Sequence, residues 1–212
     1  MRPETTPTPE PQSVPARDEN PVETAKSDER LILEFTHGSA EAFEELFHRY
    51  RDALWGFFRR RLTDPQRAEE LAQETFLAIV RAAGRYEPRA LFRTYLYAIA
   101  LKILRAERRK AAFRAAFLGG DKHHADPAAR DATETGVWVR RAVAKLEPIE
   151  REILMLREYE QLSYAEIADV MCVPVNTVRS RLFRARMALR DLLQGARQDS
   201  ASATPPEMGE RA

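Results

Sequence analysis

Residues Leu162 to Leu193, LSYAEIADVMCVPVNTVRSRLFRARMALRDLL, decide the reading of this chain, because they spell two short helices joined by a tight turn. The first has a sharp start. Ser163 can cap the amide of Glu166 while Glu166 reaches back to the cap, the S-x-x-E capping box. Ile167, Ala168, Val170 and Met171 supply its apolar side. Cys172-Val173-Pro174 then interrupts the pattern, since proline disfavours a helical residue before it and lacks an amide proton. In the second helix Val175, Val178, Leu182, Ala185 and Leu189 recur at steps of three and four and form one buried stripe. Its other faces carry Asn176, Thr177, Arg179, Ser180, Arg181, Arg184, Arg186 and Arg190, with no acidic residue between Val175 and Arg190. The stretch predicts a helix-turn-helix with a basic second helix. A helix fits the major groove, arginine forks match guanine edges, and further Arg and Ser groups reach phosphates.

Composition narrows the classes around that core. The chain has 212 residues, 44% hydrophobic and 32% charged, which suits one or two small helical domains with polar tails. Its formal net charge is only +1, so any argument for nucleic acid must be local. It is local in two places: the arginine helix, and the run Lys102, Arg105, Arg108, Arg109, Lys110 and Arg114, opposed only by Glu107. A single cysteine excludes an internal disulfide framework, and no cluster has metal-ligand spacing. His123-His124 sit side by side in a linker-like stretch and are not read as a metal site. No cofactor is expected. No apolar run approaches a membrane span, and MRPETTPTPEPQSVP lacks the centre of a signal peptide, so no membrane insertion and a cytoplasmic location are expected.

Upstream, residues 1–28 are rich in Pro, Thr and Glu and read as a disordered tail. Leu31, Leu33 and Phe35 begin a short helix, followed by one with Phe43, Leu46, Phe47, Tyr50, Leu54, Phe57 and Phe58 at helical steps. Asp64-Pro65 caps and starts the next, whose Ala68, Leu71, Ala72, Thr75, Phe76 and Ile79 face inward. Its outer face, Glu69, Glu70, Gln73 and Glu74, repels DNA; it is either solvated or meets a protein. After Gly84-Arg85-Tyr86-Glu87-Pro88, the spacing of Leu91, Tyr95, Ile99 and Ile103 predicts a long helix running into the basic stretch. Tyr86, Phe92, Tyr95 and Tyr97 are interleaved with Arg85, Arg89, Arg93 and Lys102. That mixture suits either a core or a surface that stacks unpaired bases. Residues 115–136 read as a flexible linker, 137–194 as a second unit, and 195–212 as another tail. With no apolar face on the linker, the two units are expected to be separable. No nucleophile–base pairing or phosphate-cradling glycine loop appears, so no enzyme is expected.

The motifs AFEELFHRYRDAL (42–54), AEELAQETFLAIVRA (68–82), RYEPRALF (85–92) and TYLYAIALKIL (94–104), followed by TVRSRLFRAR after a proline turn, resemble the bacterial RNA polymerase sigma factors of the extracytoplasmic-function group. The resemblance covers residues 29–193 apart from the linker. It implies an all-α protein of two small domains that binds core RNA polymerase and promoter DNA, with an anti-sigma protein as a further candidate partner. It also implies residue roles. Glu70, Gln73 and Glu74 match polymerase-docking positions. The loop from Tyr86 to Phe92, with Tyr95 and Lys102, matches the segment that opens the downstream promoter element. Asn176, Thr177, Arg179, Ser180, Phe183 and Arg184 match positions on the upstream duplex, with Arg181 placed for phosphate. The chain departs from the family pattern where Tyr95 replaces a common Trp, Lys102 a common Asn, and Cys172 a turn Gly. The rival reading is a helix-turn-helix regulator acting without polymerase, which leaves the acidic helix and the aromatic loop unused.

Overall fold

The computed structural model describes residues 26–86, 90–118 and 134–202. Eight α-helices account for most of them: α1 (Asp28–Thr36), α2 (Ala40–Arg59), α3 (Pro65–Ala82), α4 (Phe92–Leu118), α5 (Glu134–Ala144), α6 (Pro148–Glu158), α7 (Tyr164–Met171) and α8 (Val175–Ser202), with a 3-10 turn at Ala83–Arg85. Each early helix starts where a short polar side chain takes an orphan amide: Ser27 accepts from Arg30, Ser39 from Ala42, and Asp64 from Gln66 ahead of Pro65. Between α1 and α2 the chain reverses at Gly38, whose φ of +102° suits only glycine.

α1 to α4 enclose one apolar core of Ile32, Leu46, Leu54, Phe57, Phe58, Leu71, Phe76 and Ile79, closed by Phe92, Leu96 and Leu104 of α4. The six residues expected to face inward from α3 are all buried. On α4 the buried stripe lies one residue later than expected. Leu91 is half exposed, Tyr95, Ile99 and Ile103 are partly covered, and Phe92, Leu96, Ala100 and Leu104 are inside. The reason is that α4 is packed on two sides, which blurs the single-face periodicity. α4 runs to Leu118, into the stretch read as linker, and α8 continues to Ser202, past the predicted end near Leu193. Residues 1–25, 119–133 and 203–212, with most of the tails and linker, lie outside the described residues.

The second unit is built on α5 to α8, with Leu146, Ile153, Leu156, Leu162, Ile167, Val178, Leu182 and Ala185 buried together. Contrary to the expectation of separable units, α7 packs directly on α4 and the two cores are continuous. Charge holds this junction. The fully buried Arg61 at the end of α2 donates from Nε to Glu152 at 2.8 Å and from Nη1 to Glu160 at 3.1 Å and to the Phe57 carbonyl at 2.9 Å. Its guanidinium lies 3.8 Å from the Phe57 ring centroid. Arg60 adds a 3.1 Å contact to Glu160, and Arg108 one of 3.4 Å to Glu152. Further along, Arg93 forks onto Glu166 and donates to the Gln161 carbonyl, while the buried Thr94 hydroxyl donates to Glu166 at 3.3 Å. The separability argument weighed only the linker; a direct interface between the units requires no apolar linker face.

Glu166 is held down at about 2, chiefly by Arg93 and also by Ser163, against the opposing effect of burial. Its folded value lies below the ordinary 4.5, so its contribution is complete above that value and is lost as pH falls from 4.5 toward 2. The α4–α7 side of the junction should therefore loosen across that window, seen as a rise in scattering radius before global unfolding. At neutral pH, Glu160→Ala leaves Arg61 buried without one partner and should cost about 3–5 kcal/mol in urea denaturation. A variant with the wild-type midpoint and scattering profile would refute this account of the junction.

Candidate nucleic-acid and polymerase surfaces

The helix-turn-helix forms as read. Ser163 accepts from the Glu166 amide at 3.2 Å, and the Glu166 carboxylate accepts from the Ser163 amide at 2.8 Å, completing the capping box. α7 ends on Cys172, which is left-handed at φ 56° and ψ 49°. Its amide donates to Asp169 and that of Val173 to Ala168, which turns the chain into Pro174 and α8. A β-carbon in this region is strained. Cys172 is exposed, and its thiol's recorded contact is with the Asp169 carbonyl at 3.6 Å.

On α8, Val178, Leu182 and Ala185 are buried while Asn176, Arg179, Ser180, Phe183 and Arg184 are exposed on the far side; the Phe183 ring is 65% exposed. Thr177 and Arg181 are partly covered at the flanks. The groups are not idle in the free chain. Arg179 touches the Asn176 side chain at 3.3 Å, Ser180 donates to the Thr177 carbonyl, and Arg184 lies 3.6 Å from Glu150 of α6. Each exposed group faces water and can exchange its local partner for a base or phosphate without unfolding the helix.

The acidic face of α3 is also open. Glu70, Gln73 and Glu74 are exposed, with Glu70 taking Arg67 at 2.7 Å. One and two turns further along the same face stand Leu77, 52% exposed, and Val80, 40% exposed. Sequence reasoning passed over these two because apolar residues on a helix are read as interior; their placement one and two turns beyond Gln73 and Glu74 was the available signal. The result is an apolar centre beside a negative rim.

The structure divides the residues read as a downstream-element site. Tyr86 and Tyr95 stand together, ring centroids 5.3 Å apart at 63°, both partly covered. Burial pushes both phenols above their ordinary range. Lys102 is exposed two turns along from Tyr95. Phe92 does not belong with them. Its ring is 1% exposed and packs edge-on to Tyr50, and its amide donates to Glu29, so it closes the core and is corrected from a base-contacting residue to a structural one. Residues 87–89 of that loop, and His123-His124, lie outside the described residues. Among the described residues no group of His, Cys, Asp or Glu is assembled for a metal ion, and no helix is long and apolar enough to cross a membrane.

Comparison with known proteins agrees with this geometry. The family description "Sigma-70 region 2" matches residues 46–114 and "Sigma-70, region 4" matches 136–189. The RNA polymerase sigma-H factor of Pseudomonas aeruginosa is 35% identical over 81% of this chain and 96% of its own length. The extracytoplasmic-function sigma factor SigC of Mycobacterium tuberculosis is 36% identical over 78% and 92%. Among solved structures, CnrH in complex with the cytosolic domain of CnrY is similar at a TM-score of 0.60, with 25% identity over 80% of this chain and 99% of that one. The chain belongs to the RNA polymerase sigma factors of the sigma-70 superfamily, extracytoplasmic-function group. Sigma factors are non-catalytic polymerase subunits. This one binds core RNA polymerase and directs it to specific promoters.

The turn itself gives a test. Cys172→Gly removes the β-carbon from a left-handed position and should stabilise the chain by about 1 kcal/mol in thermal or urea unfolding. A destabilised glycine variant would mean that the cysteine side chain contributes packing outweighing its strain.

Proposed function

We propose that the activity is divided among three surfaces, each carried by a different helix. α3 docks on core polymerase through Glu70, Gln73 and Glu74, with Leu77 and Val80 as the apolar part of the same contact. α4 and the turn before it receive the opened downstream element through Tyr86, Tyr95 and Lys102. α8 reads the upstream duplex through Asn176, Thr177, Arg179, Ser180, Phe183 and Arg184, with Arg181 toward phosphate. The observation that carries this reading is the segregation of charge: an exposed acidic face on α3, and exposed cations on α4 and α8, within a chain of net charge +1. A regulator acting on duplex DNA alone has no use for the acidic and apolar face of α3.

In this reading residues 29–114 and 137–194 form the two working units, joined through residues 115–136. The chain acts in the cytoplasm, where transcription takes place in bacteria, and catalyses no reaction of its own. CnrH was solved with the cytosolic domain of CnrY. By that likeness this chain also takes a protein partner, an anti-sigma protein.

Glu74→Lys should weaken binding to core polymerase by ten-fold or more, about 1.4 kcal/mol, while the circular dichroism stays native. Wild-type affinity in that variant would remove α3 as the docking face. Arg179→Ala and Arg184→Ala, assayed in holoenzyme across variant upstream elements, should each lose about 1–3 kcal/mol and relax preference at one or two base pairs. Equal weakening on every sequence would assign these arginines to the DNA backbone instead.

A further inference from the structure

From Lys102 onward α4 carries six cations, and the fold sorts them. Three are spent on protein. Arg108 pairs with Glu152, Arg105 donates to the Met171 sulfur at 3.4 Å, and Arg114 takes Glu107 at 3.2 Å. Glu107, the acid opposing this run, is neutralised further by Arg67 at 2.6 Å. The other three, Lys102, Arg109 and Lys110, are exposed, and among the described residues no carboxylate stands within ion-pair distance of them.

The three unspent cations share one face. At 100° per residue, Lys102, Arg109, Lys110, Phe113 and Phe117 fall within a sector about 100° wide centred close to the line of Tyr95, and Arg105, Arg108 and Arg114 fall outside it. Phe113 and Phe117 are strongly exposed, at 63% and 73%, with ring centroids 4.3 Å apart and planes 34° from parallel. A pair of bare phenyl rings at the end of a helix is expensive to leave in water. Here they stand in line with two cations at their base and Lys102 and Tyr95 beyond, over roughly 33 Å of helix.

We propose that this face is one continuous track for unpaired DNA, and that Phe113 and Phe117, with Arg109 and Lys110, form a second stacking platform at its far end. The proposal rests on the reading of Tyr95 and Lys102 as the downstream-element surface, and extends it by about four turns. Rings offer a π-face to any base and the cations follow the backbone, so the platform holds the separated strand without regard to sequence. Its ligand is the single strand, because a paired base has no free face to present to a phenyl ring.

The test uses the full chain and a fluorescein-labelled mixed-sequence 20-nucleotide strand, with the same sequence as duplex for comparison, followed by anisotropy at several salt concentrations. Wild-type chain should bind the single strand. Phe113→Leu with Phe117→Leu, which keeps apolar surface but removes the rings, should weaken single-strand binding about ten-fold and leave duplex binding unchanged; Phe113→Tyr with Phe117→Tyr should restore it. Arg109→Gln with Lys110→Gln should lower the slope of log affinity against log salt by roughly 1.4. Leucine variants that bind like wild type would overturn the proposal, because the rings would then serve as an apolar contact for protein. No binding to the strand would overturn it as well. Lys102→Gln separates the two readings. If it weakens strand binding while the phenylalanine pair does not matter, the downstream-element surface stands and its extension falls.

Discussion

An arginine with no exposed side-chain surface is tolerable only where carboxylates meet it, and Arg61 meets two, both from the other half of the chain. The first unit, folded alone, would leave this cation at its edge with the Phe57 carbonyl and ring as its remaining partners. Glu152 and Glu160, on and just after α6, have the same need in reverse. The halves are thereby matched by charge as well as by continuous apolar packing. The match is imperfect: among the described residues Arg61 Nη2 and Arg60 Nε have no acceptor. A junction with incomplete hydrogen bonding holds the units in register less tightly than a fully satisfied one would.

α4 is the helix on which the two halves and the nucleic-acid surface converge. One side closes the first core with Phe92, Leu96 and Leu104, a second carries Arg93, Thr94, Arg105 and Arg108 to the second unit, and a third remains open with Lys102 and the phenylalanine pair. A rigid element shared in this way fixes the open face, which we propose for the unpaired strand, relative to the clasped helix-turn-helix. Two cations of the long basic run, Arg108 and Arg114, are neutralised by carboxylates, which lowers its self-repulsion.

Most of this architecture could be read from residues. The capping box at Ser163, the Asp64-Pro65 start, the inward stripe of α3 and the left-handed turn at Cys172 are local features, governed by a few neighbouring atoms, and each formed as expected. What escaped was non-local. The register of α4 was misread because two buried sides cancel the periodicity that marks one, and Phe92 was assigned to DNA because ring-and-cation interleaving does not say which ring turns inward. Arg61, Glu152 and Glu160 were not singled out, since nothing in a linear sequence pairs residues about ninety to a hundred positions apart. Leu77 and Val80 carried the opposite difficulty: apolar by type, exposed in fact.

Glu166 ties these levels together. One carboxylate closes the cap of α7 through the Ser163 amide and grips Arg93 and Thr94 across the junction. The start of the helix that supports DNA reading and the closure of the whole chain thus share a single side chain, and neither can be tuned independently at that position. Drift there has a narrow path: glutamine keeps the cap geometry but weakens the grip, aspartate falls short of both, and any larger residue meets buried Thr94. A change at Glu166 alone therefore disturbs the cap and the junction at once, and restoring the junction takes a matching change at Arg93.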